Sequence, residues 1–466
     1  KEYGAKGDGV TDDTAAIQAA IDAIAANGGG GVYFPRLKFK YTEIRINTKN
    51  IHLFGEGILY DGHVLIGDDT TIKDLDYRID GLTFERDSIA DGKHAIELQN
   101  ARKGRIYNCL FRNFDKTIYV RPKPGFQHTT RCLIYNNIFH SVNYCVYIDR
   151  DASYSSDSYY TVGDFHFVNN QADEGVRITH FYGKGVDGLV MVGNTLFFPN
   201  FADQSQTKEY NVWIDYGNFI TIVGNNLFEA GYDGIKLSRC QNFNIKGNNI
   251  AWPGQRQPSA GVRLSVGDIF GASDNNGSVC YNNIESPSHV GVDVEGNVGN
   301  VVVQGNNIQK IGDTQKYYGT IDIGSYGKWG VRSQPTTKNI LVTGNLLPNG
   351  EIQLPGMNNQ FSDNLDKYGN RQRSNNVVTI STATNTLNPN GVDQFNLNPS
   401  SAMTVDTIVA TYSGHEITLL AFNGNTTIQN NSGIVLKGGV NTTIPDGGML
   451  KLRYTTGKWY EVSRSY

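Results

Sequence analysis

The chain has 466 residues and a formal net charge of −4, with 41 Lys and Arg against 45 Asp and Glu, so it carries no basic footprint for nucleic acid. No apolar run approaches the ~20 residues of a membrane span. Its 53 Gly and 26 Tyr suit turn-rich β structure, and its five cysteines (Cys109, Cys132, Cys145, Cys240 and Cys280), an odd number with no CxxC spacing, read as small core residues rather than a disulfide framework or zinc site.

In chain order, residues 11–26 come first as one amphipathic helix. Thr11 and Asp12 supply N-cap chemistry, and Asp12 and Asp13 suit the positive end of its dipole, a capping role rather than a catalytic dyad. Ile17, Ile21 and Ile24 share one face, and Gly28 to Gly31 stop the helix before Val32-Tyr33-Phe34-Pro35 opens the first strand. The first residue is Lys1, which leads us to expect a chain that begins inside a longer product, with an N-terminal module missing.

From Asp80 to Asp363 a short pattern recurs: a β-like run, an Asn or Asp turn, then an apolar pair. Tyr135-Asn136-Asn137-Ile138-Phe139, Gly224-Asn225-Asn226-Leu227-Phe228 and Gly305-Asn306-Asn307-Ile308 are examples. Ten steps give a mean period of about 28 residues, the mark of a solenoid whose units bury their apolar faces only against their neighbours. About ten residues after each turn comes a second signal of small, apolar, any, apolar, as in Cys145-Val146-Tyr147-Ile148, Gly175-Val176-Arg177-Ile178 and Gly234-Ile235-Lys236-Leu237. Such alternation predicts half-buried strands. Short strands with no helical period predict a parallel β-helix, with the Asn residues at its bends, tolerating left-handed φ and bonding one another in a ladder.

After Arg373 the Asn-turn pattern stops. Alternating runs such as Thr404–Thr411, Glu416–Phe422, Met449–Tyr454 and Trp459–Val462, punctuated by glycines, predict a β-sandwich-like module. The expected organisation is an N-terminal segment with its capping helix over 1–35, a β-helix over 36–372, and a C-terminal domain over 373–466 that trimerises or binds carbohydrate.

Tyr3-Gly4-Ala5-Lys6-Gly7-Asp8-Gly9-Val10-Thr11-Asp12-Asp13-Thr14, continuing to Gly31-Val32-Tyr33-Phe34-Pro35, closely resembles the opening segment of the pectate-lyase-like β-helix superfamily. Within that group the whole resembles a bacteriophage tailspike. The resemblance implies an all-β protein with a right-handed parallel β-helix, usually a homotrimer. It further implies a protein without a cofactor, joined to the phage tail through the missing N-terminal segment, that binds and cleaves capsular or O-antigen polysaccharide at the bacterial surface. It does not identify catalytic residues, which differ between members.

Those must be read from the strands. Residues between the inward apolar positions point outward and stack from coil to coil. One outward column is expected to run Glu97, Tyr119, Tyr147, Arg177, Trp213, Lys236, Arg263, Asp293, Asp322 and Gln353; a second holds Asp149, Thr179, Asp215 and Glu295. Aromatic faces stack on sugar rings, and Arg and Asp bond hydroxyls or acidic groups, so Tyr147, Asp149, Arg177, His180, Trp213, Lys236 and Arg263 are candidate substrate-binding residues. Glycosidic hydrolysis needs two carboxyl groups. Glu174, Asp215 and Asp233 form the favoured set and Glu229 the reserve. Asp149 with Asp215, and Asp293 with Glu295 and Asp322, are the other constellations. A polysaccharide lyase or a non-catalytic glycan-binding spike on the same fold remains open. A calcium-dependent lyase would draw on Asp293, Glu295, Asp322 and Arg263, but no dedicated calcium loop is visible, and none of the nine histidines forms an i, i+4 metal pair.

Overall fold

The structure is a computed structural model. It describes residues 2–68, 70–122, 131–149, 162–172, 175–197, 209–265, 275–313, 315–316, 319–320, 328–348, 351–354, 359–365, 377–389, 392–411 and 413–466. Glu174, Asp322 and the Tyr-rich stretch 151–161 lie outside these residues.

The chain up to residue 365 is a parallel β-helix. One coil reads Arg105–Tyr107, Leu110–Arg112, Lys116–Val120, and then Cys132–Tyr135, which lies in register on Arg105–Tyr107. Each coil therefore adds one strand to each of three faces. The first face is a sheet of short strands from Asp8–Asp12 to Asn307–Gln309. The second includes Glu43–Ile46, Ile96–Gln99 and Tyr144–Ile148; the third includes Ile51–Gly55, Arg78–Asp80 and Val162–Val168. Thr179–Val192, Val212–Val223 and Ile235–Lys246 run around the corner from the second face into the third.

Inward residues form one continuous core from Ile17 to Leu354. Identical residues stack along it: Phe84, Phe111 and Phe139 lie 5.1 Å apart ring to ring. Each such fully buried side chain contributes about 1.5–3 kcal/mol, and the five cysteines are buried thiols within the coils. The helix Thr14–Ala26 closes the N-terminal end with Ile17, Ala20 and Ile21. It starts three residues later than the capping pattern predicts, because Asp8–Asp12 pairs as a strand with Lys38–Lys40. The Asp12 carboxylate accepts the Thr14 N–H at 2.9 Å, while that of Asp13 accepts the N–H groups of Lys6 and Gly7.

The bend between the third and first faces separates two jobs that the Asn pattern had merged. The first residue of the turn takes left-handed φ: Asn108, Asn136, Asn169, Gly224, Gly247, Tyr281, Gly305, Asp363. The next residue turns inward. Asn137, Asn170, Asn194, Asn225, Asn248, Asn282, Asn306, Asn345 and Asn364 form a buried row in which each Nδ2 donates to the Oδ1 of the next at 2.8–3.1 Å. Each also donates to a strand carbonyl, as Asn225 does to Met191, so these buried amides are paired as burial demands.

Residues 377–466 have their own core, built around Phe395, Leu419, Leu450 and the fully buried Trp459. A sheet of Val377–Ile380, Gln394–Leu397, Glu416–Ala421, Met449–Thr455, Lys458–Ser465 and Ile434–Val435 is accompanied by a second of Met403–Val405, Thr426–Ile428 and Thr442–Ile444. This is the β-sandwich-like module that the strand spacing predicts.

Candidate functional site

The registers define the outer column of the second face. Glu97 lies beside Tyr119, Tyr119 beside Tyr147, Tyr147 beside Tyr182, Tyr182 beside Trp213, and Trp213 beside Lys236. Arg263, Asp293, Arg332 and Gln353 follow. Two expected members are replaced. Arg177 precedes the strand and Tyr182 holds its place, because Val146 pairs with Phe181 rather than with Val176. Arg332 stands where Asp322 was expected. In the second column Lys184, not Thr179, lies beside Asp215, so a cation separates the coils of Asp149 and Asp215.

The column has two halves of different character. In the N-terminal half, ring follows ring: Tyr119 to Tyr147 at 6.0 Å, Tyr147 to Tyr182 at 4.7 Å, and Tyr182 to Trp213 at 5.0 Å. Tyr144, Tyr210 and Tyr232 widen this surface, with Tyr210 5.1 Å from Trp213 and 5.4 Å from Tyr232. Lys116 sits 4.3 Å over the Tyr147 ring, and Lys236 sits over Tyr210 and Trp213 at 5.1 and 5.2 Å. The buried Trp213 indole N–H has no acceptor among the described residues. Burial and the nearby Asp149 carboxylate push the Tyr147 phenol up to about 12, and burial raises Tyr119, Tyr144, Tyr182 and Tyr210 further. These hydroxyls are protonated donors at neutral pH.

In the C-terminal half the charges satisfy one another. Arg263 donates to Asp233 at 2.9 Å, to Asp293 at 2.8 Å, and to Glu295. Arg332 donates twice to Asp293, at 2.9 and 2.5 Å. Asp293 is fully buried. Burial would lower the Arg263 guanidinium, but Asp233, Asp293 and Glu295 overcome it and hold it above its usual range. Burial raises the Glu295 carboxyl against the pull of Arg263. The two guanidiniums already occupy the space between Asp293 and Glu295, which leaves those carboxylates poorly placed to take a calcium ion.

Asp215 and Asp233, the two members of the favoured set among the described residues, do not converge. Asp215 is clamped by Arg239, which also lies 3.5 Å over the Tyr216 ring. Its register partner is Ser238, five residues beyond Asp233, or roughly 16 Å along a strand. That exceeds the ~6.5–9.5 Å that two hydrolytic carboxyls span. Glu229 is 3% exposed on a left-handed turn. His180 is fully buried, with Nε2 3.0 Å from the Phe197 carbonyl and Nδ1 3.4 Å from Asn211. Burial lowers its ring to about 3. His180 is a neutral core residue and does not reach the outer face, which corrects its assignment to substrate binding.

The residue missed from the sequence is Glu209. Its N–H donates to the Ile178 carbonyl at 2.7 Å, and its own carbonyl accepts from Tyr232 at 2.8 Å. It therefore sits one coil from Tyr232-Asp233, at the edge of the aromatic surface. Burial raises its carboxyl, with Lys236 opposing. Both Glu209 and Asp233 act electrostatically on the Tyr210 phenol. Asp233 is almost buried and fixed by the Ala260 N–H at 2.7 Å and by Arg263. Of the predicted acids, Asp233 thus gains a neighbouring carboxyl on the adjacent coil. The signal available was position: Glu209 directly precedes Tyr210 at the end of a long insert.

Residues 1–180 match the family model described as rhamnogalacturonase A/epimerase, pectate lyase-like. Mannuronan C5-epimerase AlgE2 of Azotobacter vinelandii is 47% identical over 66 residues, 12% of this chain and 6% of that protein, so the match spans a small part of the relative. Among solved structures, the A-module of mannuronan C-5 epimerase AlgE6 from A. vinelandii aligns over 76% of this chain and 98% of its own, at 17% identity and a TM-score of 0.48. Tailspike protein 3 of bacteriophage CBA120 aligns over 82% and 63%, at 9% identity and a TM-score of 0.48.

Proposed function

We propose that this chain binds a bacterial capsular or O-antigen polysaccharide along the aromatic half of its second face and hydrolyses it beside Tyr210. In this reading Glu209 is the general acid, and Asp233, held by Arg263 and the Ala260 N–H, is the base or nucleophile. The observation that carries the reading is the placing on adjacent coils of Glu209, whose carboxyl burial raises, and Asp233, which a guanidinium and an amide hold in place. Tyr147, Tyr182 and Trp213 offer ring faces to sugars, and Lys236 bonds substituents; Arg177 and Asp149 flank them.

The setting proposed is a homotrimeric spike on a phage tail, acting outside the host at the bacterial surface, with residues 377–466 holding three chains together or binding glycan. The test is incubation with a panel of purified capsular polysaccharides. New reducing ends without the absorbance of an unsaturated uronate are expected. Reducing ends with that absorbance would make the protein a lyase, and binding without any cleavage would make it an adhesin. Light scattering giving a monomer mass at all concentrations would overturn the trimer.

A further inference from the structure

The corner between the second and third faces repeats one backbone position down the helix. Two residues before the register-matched column His52, Arg78, Arg105, Leu133, His166, Val190, Thr221, Asn244, Ser278, Val302 and Leu341, φ is positive in coil after coil. Toward the C-terminus this position is Asn242, Asn276, Asn300 and Asn339, with φ between 48° and 56°. Asn is the side chain that tolerates this region, and here it also bonds its neighbours, Asn339 to Asn300 at 2.8 Å and Asn300 to Asn276 at 3.3 Å. The first coil also has Asn there, Asn50, but in the coils between the same position holds Asp76, Lys103, Arg131, Asp164, Gly188 and Phe219. Lys, Arg and Phe gain nothing from left-handed φ, and Phe219 is 61% exposed. Side chains that accept this backbone without packing in return point to a use outside the fold.

Two adjoining cavities mark the same stretch. One, of about 490 Å³, is lined by Arg78, Lys103, Arg105, Arg131, Asp164 and His166 among others. The second, of about 500 Å³, shares Arg131 and Asp164 and continues past Arg102 and Asp187 to Phe219. The groove covers five coil steps, roughly 24 Å. Arg131 meets Asp164 at 3.4 Å with both side chains exposed, and Lys103 meets Asp74 at 3.0 Å. Arg78 and Arg105 are exposed and make no ion pair among the described residues. The lining carries five cationic side chains against Asp76, Asp164 and Asp187, on a chain whose net charge is −4.

We infer that this corner is a second binding groove, separate from the aromatic face, that takes an acidic polysaccharide. Arg78, Arg105 and Arg131 would grip carboxylate or sulfate groups, Asp187 would accept sugar hydroxyls, and Phe219 would stack on a ring. The inference stands whether or not the aromatic face cleaves anything.

The experiment uses the whole chain with labelled polygalacturonate, dextran sulfate and neutral dextran, at low and high salt. The variant Lys103→Asn/Arg131→Asn installs the residue that the C-terminal coils already use, so its melting temperature should match or exceed the parent's. Binding of at least one acidic polymer is expected, weakening with salt, with affinity reduced about tenfold or more in the variant. Phe219→Asn should lower it less. Which acidic polymer binds distinguishes carboxylate from sulfate ester. Equal binding of neutral dextran, no binding of either acidic polymer, or unchanged affinity in the double variant would overturn the proposal. A double variant that changes the mass seen by light scattering while polymer binding persists would make this corner a contact between copies of the chain instead.

Discussion

The two halves of one outer column use the same strand positions for opposite ends. From Tyr119 to Trp213 the side chains are rings, half-buried by one another and open on one side. From Arg263 to Arg332 they are charges locked together by Asp233, Asp293 and Glu295. A carboxylate shared between two guanidiniums, as Asp293 and Glu295 are, stabilises the coil stack, and a ring with an open face is available to a ligand. Counting carboxylates along the helix therefore misleads: Asp293 and Glu295 look as catalytic as any pair in the chain, yet they are ligands of two arginines. Glu209 and Asp233 sit where the halves meet.

The sharpest way to break this comparison is Glu209→Gln. We expect turnover to fall by about 10²–10⁴ with little change in melting temperature, since loss of a general acid typically costs that much. Because burial raises this carboxyl and the protonated form is the one required, kcat/KM of the parent should fall as pH rises through a pKa above the ordinary carboxylate range, and the variant should lack that limb. Wild-type turnover would remove Glu209 from the chemistry.

Asp293→Asn asks the reverse question of the charged half. It removes the fully buried counter-charge that Arg263 and Arg332 share, leaving Asp233 and Glu295 as their partners, and a loss of about 3–5 kcal/mol in stability is expected, read from denaturant midpoints. An Asp293→Asn protein that keeps parental stability but loses turnover would move the active site into this half.

Trp213→Ala tests the rings, with KM rising by about tenfold and kcat changing less. A further test is acid stability. Burial holds the His180 ring near 3, below its ordinary value, so the unfolded chain binds a proton there that the folded chain refuses. The stability from keeping His180 neutral is complete above about pH 6.5 and is lost toward pH 3, at about 1.4 kcal/mol per pH unit. His180→Gln should flatten that slope in melting curves taken between these limits.

The periodic features were legible because they are local. A small-apolar-any-apolar stretch closes a strand wherever it occurs, so Tyr119, Tyr147, Trp213, Lys236, Arg263 and Asp293 could be placed in one column from spacing alone. Arg177 was misplaced because Gly175-Val176-Arg177-Ile178 carries that pattern without being the paired segment; the strand that stacks on Tyr144–Ile148 begins at Thr179 and is disguised by Gly183 and Gly185. Arg332 was hidden for a related reason, an insertion that shifted the expected strand toward Asp322. The role of His180 turned on whether its ring faces out or in, which depends on the Phe197 carbonyl and Asn211 brought beside it by folding. Glu209 has no motif at all; its burial comes from neighbouring coils.

The buried asparagine row has an electrical consequence. Every amide in it presents Oδ1 to the coil before and Nδ2–H to the coil after, so the side-chain dipoles add head to tail along the axis instead of cancelling. The row therefore has a negative pole toward the N-terminal coils, where the Cys109 N–H donates to Asn137 Oδ1 at 3.0 Å. Its positive pole lies at Asn364, and the residue before it in the chain is Asp363, exposed at a turn position that Asn or Gly fills in most other coils. The solenoid thus carries a field along its axis with ends of fixed and opposite sign, and a charge near either end is attracted or repelled according to which pole it meets.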